Sequence, residues 1–298
     1  MNRRFVIAGM ISALCVSSAW GDNTDGESYG AYGDASVSLE TKHAERGRIV
    51  GKMAIVPDAE VGYEVMDGAR VYFGLGGVFS MKDREEWGHS DKISPRIGFS
   101  YDVTDMLTVD MGYTYKYFTK KFSRSERDDQ EFLYGKKMKR GSSEIYVGVS
   151  SNTLLNPAVR CAYDINNEEI NVEGSVLYNI DLSDRTASGL GIELGAKVGF
   201  DSAKKFRGIG LSYAKNYSDG WINDDAFKKD YFYYGASADL VYFFSDVAKA
   251  RVGIEYVGNT AKKCCWVNTR DMLGGDAEFG NKGHKNNVLL RAGIDCSF

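Results

Sequence analysis

The chain has 298 residues, of which 43% are hydrophobic and 26% charged, and its formal net charge is −4. Its 34 glycines, 19 tyrosines and 15 phenylalanines against 3 prolines favour strands and turns over helices. Beyond the first 21 residues no apolar run approaches the ~18 residues that a spanning helix needs, which excludes helical membrane spans. No phosphate-binding glycine loop, dinucleotide fingerprint or basic face is present, so neither a nucleotide cofactor nor nucleic acid is expected.

Residues 1–21 have the pattern of a cleaved export signal. Arg3 and Arg4 precede an apolar run of about 12 residues, which is too short to span a membrane. The small residues Ala19 and Gly21 suit cleavage before Asp22. Residues 22–33 are acidic, rich in glycine and aperiodic, and we expect them to form a flexible periplasmic tail.

From residue 34 onward, apolar and polar residues alternate in separate segments, as they do in strands with two unlike faces. In the last segment Val288, Leu290, Ile294 and Phe298 fall on one face, whereas Arg291 and Asp295 fall on the other. This pattern predicts twelve strands, at 34–43, 57–66, 69–80, 93–101, 107–118, 144–150, 157–164, 170–180, 190–200, 231–243, 250–257 and 288–298.

The connections between these segments differ in length at the two ends. Five turns are short, at 67–68, 102–106, 151–156, 181–189 and 244–249. The connections at the other end are 44–56, 81–92, 119–143, 165–169, 201–230 and 258–287, and only 165–169 is short. An even strand number with short turns at one end and long loops at the other is typical of bacterial outer-membrane barrels. The sequence therefore predicts an all-β protein, a closed antiparallel up-and-down transmembrane barrel of about 12 strands over 34–298.

The cost of burying charge in lipid decides which face points outward. An arginine or lysine on the lipid face costs ~2–4 kcal/mol at the bilayer midplane. The polar faces together carry many such residues, so the apolar faces are expected to meet lipid and the register to be strongly specified. The candidate pore-lining residues are Arg70, Arg96, Asp110, Lys116, Glu173, Glu193, Lys197, Arg251, Glu255, Arg291 and Asp295. The alternative is that these charges pair with one another and only satisfy a polar interior.

The segment 119–143 is the most charged connection, with eight bases and four acids. We expect it either to fold into the barrel as a constriction or to bind phosphate groups of the outer-leaflet lipopolysaccharide. A narrow barrel with rows of opposed charge favours small polar, zwitterionic or charged solutes.

The histidines and cysteines give little support for catalysis or metal binding. His89, Ser90 and Asp91 are the residue types of a catalytic triad, but triads converge from distant parts of the chain. His43, His284, Cys264 and Cys265 lack the spacing of metal ligands, so no metal site is predicted. Cys161 and Cys296 lie on apolar faces and are expected to be free thiols. The adjacent pair Cys264–Cys265 leaves a vicinal disulfide, a redox pair and a soft-metal site open.

The chain resembles a known family over nearly its whole predicted mature length. The strand S-V-S-L-E-T-K-H-A leading to Glu45–Arg46–Gly47, the strand at Pro57 and the segment A-R-V-Y-F-G-L-G-G resemble the opening of the TorF-type porins. In that family an Arg-Gly pair follows the first strand. The resemblance implies passive uptake across the bacterial outer membrane, with outer-membrane lipid and lipopolysaccharide as surroundings. The last strand, ending at Phe298, resembles the strand that the barrel-assembly machinery recognises.

Three functions are compatible with these features. The first hypothesis is a narrow passive pore for small polar or charged solutes. The second is a non-conducting surface barrel whose long loops bind glycan, protein or host surfaces. The third is a hydrolase with its site at the barrel rim, although the sequence favours a protein that is not an enzyme.

Overall fold

The computed structural model describes residues 30–82, 91–118, 141–166, 168–182, 189–203, 230–260 and 286–298. These residues contain no helix that is both long enough and apolar enough to cross a membrane. The regular structure consists of twelve strands: β1 (Ala31–Glu45), β2 (Arg48–Met66), β3 (Ala69–Lys82), β4 (Lys92–Thr104), β5 (Leu107–Phe118), β6 (Gly141–Ser151), β7 (Ala158–Asp164), β8 (Glu169–Asp181), β9 (Leu190–Ala203), β10 (Asp230–Ser245), β11 (Ala248–Asn259) and β12 (Asn286–Ser297).

The strands form one closed ring in which each strand pairs antiparallel with its sequence neighbours. The ring closes where β1 pairs with β12, from Asp34 opposite Ser297 to Glu40 opposite Arg291. Beyond this ladder, Gly33 and Phe298 exchange backbone hydrogen bonds of 2.8 and 2.9 Å. The predicted closed antiparallel barrel of twelve strands is confirmed.

The two faces of each strand are arranged as the alternation predicts. On β12, Leu290 is 55% exposed, whereas its neighbour Leu289 is 3% exposed. The same holds on β11, where Val252 and Ile254 are exposed and Arg251 and Glu255 are half-buried. Because successive strand residues point to opposite faces, the barrel has an apolar exterior and a charged interior. The register chosen from the cost of charge on the outer face is therefore confirmed.

The end of the barrel that carries Gly33 and Phe298, here called the terminus end, has tight turns. Asp67–Gly68, Asp105–Met106 and Asp246–Val247 each separate two strands by two residues. Gly68 has a φ of 70°, a left-handed conformation that suits glycine in such turns. At the opposite end, here called the loop end, β7 and β8 are separated by only four residues, as predicted. The loops predicted at 119–143, 201–230 and 258–287 lie mostly outside the described residues.

The first strands are longer than predicted. β1 begins at Ala31, within the segment predicted as a tail. The long loop predicted at 44–56 is wrong, because β1 runs to Glu45, β2 begins at Arg48, and only Arg46 and Gly47 separate them. The alternation is lost here for a physical reason: the register shifts between His43 and Ala44. On the facing strand Met53 has a φ of 46°. The register shift places one extra residue on β2 and interrupts the alternation, so the period-2 pattern no longer marks a strand.

Candidate functional site

The interior of the barrel is the candidate functional site. All eleven residues predicted to line a pore lie on strands, and each of them is half-buried. Each side chain lies on the strand face opposite to that of the residues before and after it. The interior is thus a wall of charged and tyrosine side chains contributed by every strand, and their contacts divide into several clusters.

Arg70 and Arg96 pair with carboxylates on nearby strands. Arg70 donates to Asp102 at 2.6 Å, and both side chains are about one third exposed. Arg96 donates to Asp58 at 2.6 Å and to Glu60 at 3.0 Å. Arg96 therefore links β4 with β2 across the intervening β3.

A second cluster joins β9, β10, β11 and β12. Lys197 lies 2.8 Å from a carboxylate oxygen of Glu255. Arg291 donates to Asp239 at 2.7 Å and to Glu255 at 3.4 Å. Asp239 is 3% exposed, so it depends on Arg291 to compensate its buried charge. Lys197–Glu255 and Arg291–Asp239 connect strands two apart, and Arg291–Glu255 connects neighbours, so the pairs link the wall laterally.

A cavity of about 320 Å³ opens between the two clusters on the terminus side of the barrel. Lys249 reaches Glu193 at 2.5 Å, and Arg251 reaches Asp295 at 3.2 Å. The cavity therefore has both signs of charge on its wall. Its polar lining residues are Asp34, Ser36, Asp58, Lys249, Arg251, Asp295 and Ser297.

Inward-facing tyrosines connect the remaining predicted acids. The Tyr72 hydroxyl donates to Asp110 at 2.6 Å and lies 2.5 Å from the Tyr146 hydroxyl. The guanidinium of Arg160 lies 4.1 Å from the centre of the Tyr146 ring, a cation–π contact. On the other side of the barrel, Tyr233 donates to Glu173 at 2.8 Å. Asp110 and Glu173 are thus held by phenols rather than by cations.

Glu144 on β6 is the most heavily shared carboxylate. Its side chain is 4% exposed, and it accepts from Lys116 at 2.7 Å, from Arg160 at 3.3 Å and from Arg46 at 2.5 Å. Three cations around one buried acid make Glu144 the point at which the wall and the β1–β2 connection meet.

Arg46 belongs to the end of the β1–β2 hairpin, residues 44–50, here called the inner tip. Its guanidinium also donates to Glu169 on β8 and lies 3.5 Å from Asp201 on β9. In the ring β8 is six strands from β2 in either direction, so it stands directly opposite. The inner tip therefore reaches across the barrel at the loop end and contacts the far wall.

Two further bonds hold the backbone of the inner tip. The Tyr231 hydroxyl donates to the Arg46 carbonyl at 3.2 Å, and the Asn259 amide donates to the Gly47 carbonyl at 2.8 Å. Gly47 has a φ of 70°. A Cβ at this position would lie 2.5 Å from Cβ of Tyr233, so only glycine fits.

The electrostatic surroundings keep Arg46 charged. Burial by itself lowers the pKa of the Arg46 guanidinium, but the carboxylates of Glu169, Glu144 and Asp201 outweigh it and the pKa is raised. Arg46 therefore stays protonated at every accessible pH, and its attraction to this acidic group does not depend on the pH.

The inner tip also has a small apolar contact. Ile49 packs with Val257 of β11 and Leu289 of β12, and all three side chains are buried, with Ala44 beside them. These residues form an apolar cluster within a mostly polar interior. The sequence alternation does not predict a strand near residue 49, because the tip places an apolar side chain inside an interior that is mostly polar.

Sequence reasoning missed several residues of this site. Asp58, Asp102 and Lys249 were not among the candidates, although each pairs with or lies beside a candidate side chain. Arg46, Glu169 and Asp201 were missed because they lie at or near strand ends at the loop end. The Arg46–Gly47 pair was the available signal, since a glycine between two polar segments indicates a turn.

The side chains considered for catalysis or metal binding are only partly described. Nδ1 of His43 lies 2.7 Å from Glu40. His89, His284, Cys264 and Cys265 lie outside the described residues. Cys161 and Cys296 are free thiols. Within the described ranges no group of three or more His, Cys, Asp and Glu side chains is placed to hold a metal ion.

No family model and no curated protein matches this chain. Among solved structures, the NanC porin is 11% identical with a TM-score of 0.45, and the match covers 89% of this chain and 98% of that one. LpxR from Salmonella typhimurium is 10% identical with a TM-score of 0.48, covering 89% and 99%. The COG4313 outer membrane channel from Pseudomonas putida F1 is 11% identical with a TM-score of 0.44, covering 93% and 100%. Similarity this low assigns neither a family nor a function, and the resemblance to the TorF-type porins stays a prediction.

Proposed function

We propose that this chain is a bacterial outer-membrane barrel that forms a narrow passive pore for small polar or charged solutes. The inner tip is its constriction, and the eleven charged residues predicted from the sequence line the path. The apolar exterior of the strands supports a membrane position, because a continuous exposed apolar surface of this kind is unfavourable in water.

The observation that carries the proposal is a charged interior that retains space. The Arg160 side chain is 49% exposed although it faces inward. A Cβ at the inward-facing Gly148 would meet only the Val159 carbonyl oxygen, at 3.5 Å. The cavity beside Arg251 adds about 320 Å³. Small barrels of about eight strands are filled by their own side chains, whereas twelve strands enclose a wider interior.

The partners that we expect in the membrane follow from the apolar exterior of the barrel and from the position of β12. Outer-membrane lipid and lipopolysaccharide would contact the exposed apolar face. The assembly machinery would recognise β12 and the terminal Phe298 before β12 pairs with β1. Phe298 takes part in that final pairing, since its backbone bonds to Gly33 in the closed ring.

Single-channel recording of the purified, folded protein in planar bilayers tests the proposal. We expect small, stable, ohmic current steps, because water and ions can occupy a charged interior that is not filled. Folding is verified on the same sample by circular dichroism in the β region. A folded sample that gives no steps over repeated insertions contradicts a pore.

A matched pair of tryptophan variants on β6 tests whether the current passes through the barrel. Gly148→Trp places a large ring into the open interior and is expected to reduce the conductance by at least half. Val149→Trp places the same ring on the exterior, where Val149 is 42% exposed, and is expected to leave the conductance unchanged. Equal conductance in the two variants would show that the current does not follow the barrel axis.

One observation favours the second hypothesis, a non-conducting barrel whose loops bind a surface partner. The inner tip spans the loop end, and the bases of the interior clusters are compensated by carboxylates. Such an interior resembles a closed plug. Absence of current from the folded protein would support this alternative.

A further inference from the structure

The inner tip begins where the β1–β2 ladder is interrupted. His43 pairs with Gly51 but Ala44 pairs with Ile49, so β2 has one extra residue at this point. A bulge bends its strand locally and interrupts the regular ladder. Among the described residues the pairing of β2 with β3 ends at Lys52, opposite Lys82, so the tip continues the hairpin beyond the bulge instead of extending the barrel wall.

The described contacts of the inner tip with the rest of the barrel are of several kinds. They include the ionic contacts of Arg46 with Glu144, Glu169 and Asp201, two hydrogen bonds to backbone carbonyls, and the packing of Ile49 against β11 and β12. The Arg46 contacts are the only ones in this set that involve charge on both partners. A further ion pair, between Glu45 and Lys92, joins the tip to β4.

We infer that Arg46 is the latch of a gate: the inner tip pivots about the break in the ladder between His43 and Ala44, and the Arg46 contacts hold it across the loop end. This inference rests on the proposed pore function for its physiological meaning. Release of the latch uncovers the wall beneath the tip and widens the path. The carboxylates that Arg46 leaves remain compensated in part, since Lys116 and Arg160 stay beside Glu144.

Movement of the inner tip can be measured at Val257 without recording current through the barrel. Val257 lies on β11 beneath Ile49 and is 0% exposed. A cysteine at this position is inaccessible while the tip is in place and reacts with a water-soluble maleimide when it leaves. Val241 on β10 is 2% exposed and lies near the terminus end, away from the tip. A cysteine there reports general loosening of the barrel instead.

The experiment compares Val257→Cys and Val241→Cys, each with and without Arg46→Ala, with all other cysteines replaced by serine. We expect Arg46→Ala to accelerate labelling at residue 257 by at least about tenfold, because a hydrogen bond to a charged group contributes roughly that factor to an equilibrium. Labelling at residue 241 should not change. Arg160→Ala, which removes another cation from Glu144 but none from the tip, should leave labelling at residue 257 unchanged.

The outcomes separate the latch from the pore. Unchanged labelling at residue 257 in Arg46→Ala overturns the latch, and so does equal acceleration at residues 257 and 241. Single-channel recording of the same variants then tests the pore independently. Faster labelling at residue 257, without current in either protein, supports the latch and contradicts the pore. Current together with unchanged labelling supports the pore and contradicts the latch.

Discussion

Replacement of Glu144 by glutamine is expected to lower the free energy of unfolding by about 3–5 kcal/mol, the range for breaking a buried ion pair by removing one partner. The side chain keeps its shape but loses its charge. Lys116, Arg160 and Arg46 then share a buried site with no compensating carboxylate at its centre. Urea-induced unfolding of the protein in lipid vesicles, followed by tryptophan fluorescence, measures the change.

The control for this variant is Asp102→Asn. Asp102 pairs with Arg70 at 2.6 Å, but the two side chains are 36% and 34% exposed, so water screens the pair. A pair of this exposure contributes at most about 1 kcal/mol. If both variants lower the free energy of unfolding by the same amount, burial does not explain the contribution of the Glu144 cluster to stability.

Replacement of Leu290 by arginine is expected to destabilise the barrel by about 2–4 kcal/mol in lipid, the cost of a cation on the lipid face at the midplane. Leu290 is 55% exposed and lies near the middle of β12, opposite Ile254 on β11. The new cation would lie on the outer face, opposite the interior face that carries Arg291 and its carboxylate partners. The measurement is the same unfolding titration, carried out in vesicles because detergent permits water to approach the exterior.

Val247→Arg is the matched control. Val247 is 53% exposed and lies in the two-residue turn between β10 and β11 at the terminus end. Near the interface the same substitution costs only about 0–1 kcal/mol. A loss at residue 247 as large as that at residue 290 would mean that depth in a bilayer does not determine the cost.

The alternation of residue types predicted the barrel wall because it follows directly from strand geometry. On β12, the assignment of Leu290 outward and Arg291 inward needs only the period of two and the cost of charge on the outer face. The same reasoning located all twelve strands and the tight turn at Asp67–Gly68. Boundaries shifted most where strands continue past the region of strict alternation, as at the start of β2, predicted at 57 and observed at Arg48.

The inner tip could not be predicted from the same pattern. Residues 44–50 lie inside the barrel instead of in its wall, and Ile49 packs against apolar side chains there. His43 pairs with Gly51 but Ala44 pairs with Ile49, so one extra residue on β2 interrupts the period of two. Nothing in the local sequence indicates that the turn at Arg46 reaches a strand on the opposite side of the ring.

The individual ion pairs also depend on information that a single strand lacks. Arg291 was recognised as an inward cation, but its partner Asp239 lies on β10, two strands away. Such pairings depend on the stagger between neighbouring strands, which positions side chains along the barrel axis. Composition shows that opposite charges are available inside, whereas their pairing appears only in three dimensions.

The most direct test of the outward apolar face and the inward charged face is a nitroxide scan of β12 in lipid vesicles. Single cysteines replace residues 288–295 in turn and carry the spin label, and collision with oxygen is compared with collision with a water-soluble nickel complex. We predict a period of two, with oxygen access highest at Val288, Leu290, Ala292 and Ile294 and low at Leu289, Arg291, Gly293 and Asp295. The reverse alternation, or uniform access along the strand, would contradict a barrel with lipid outside and charge within.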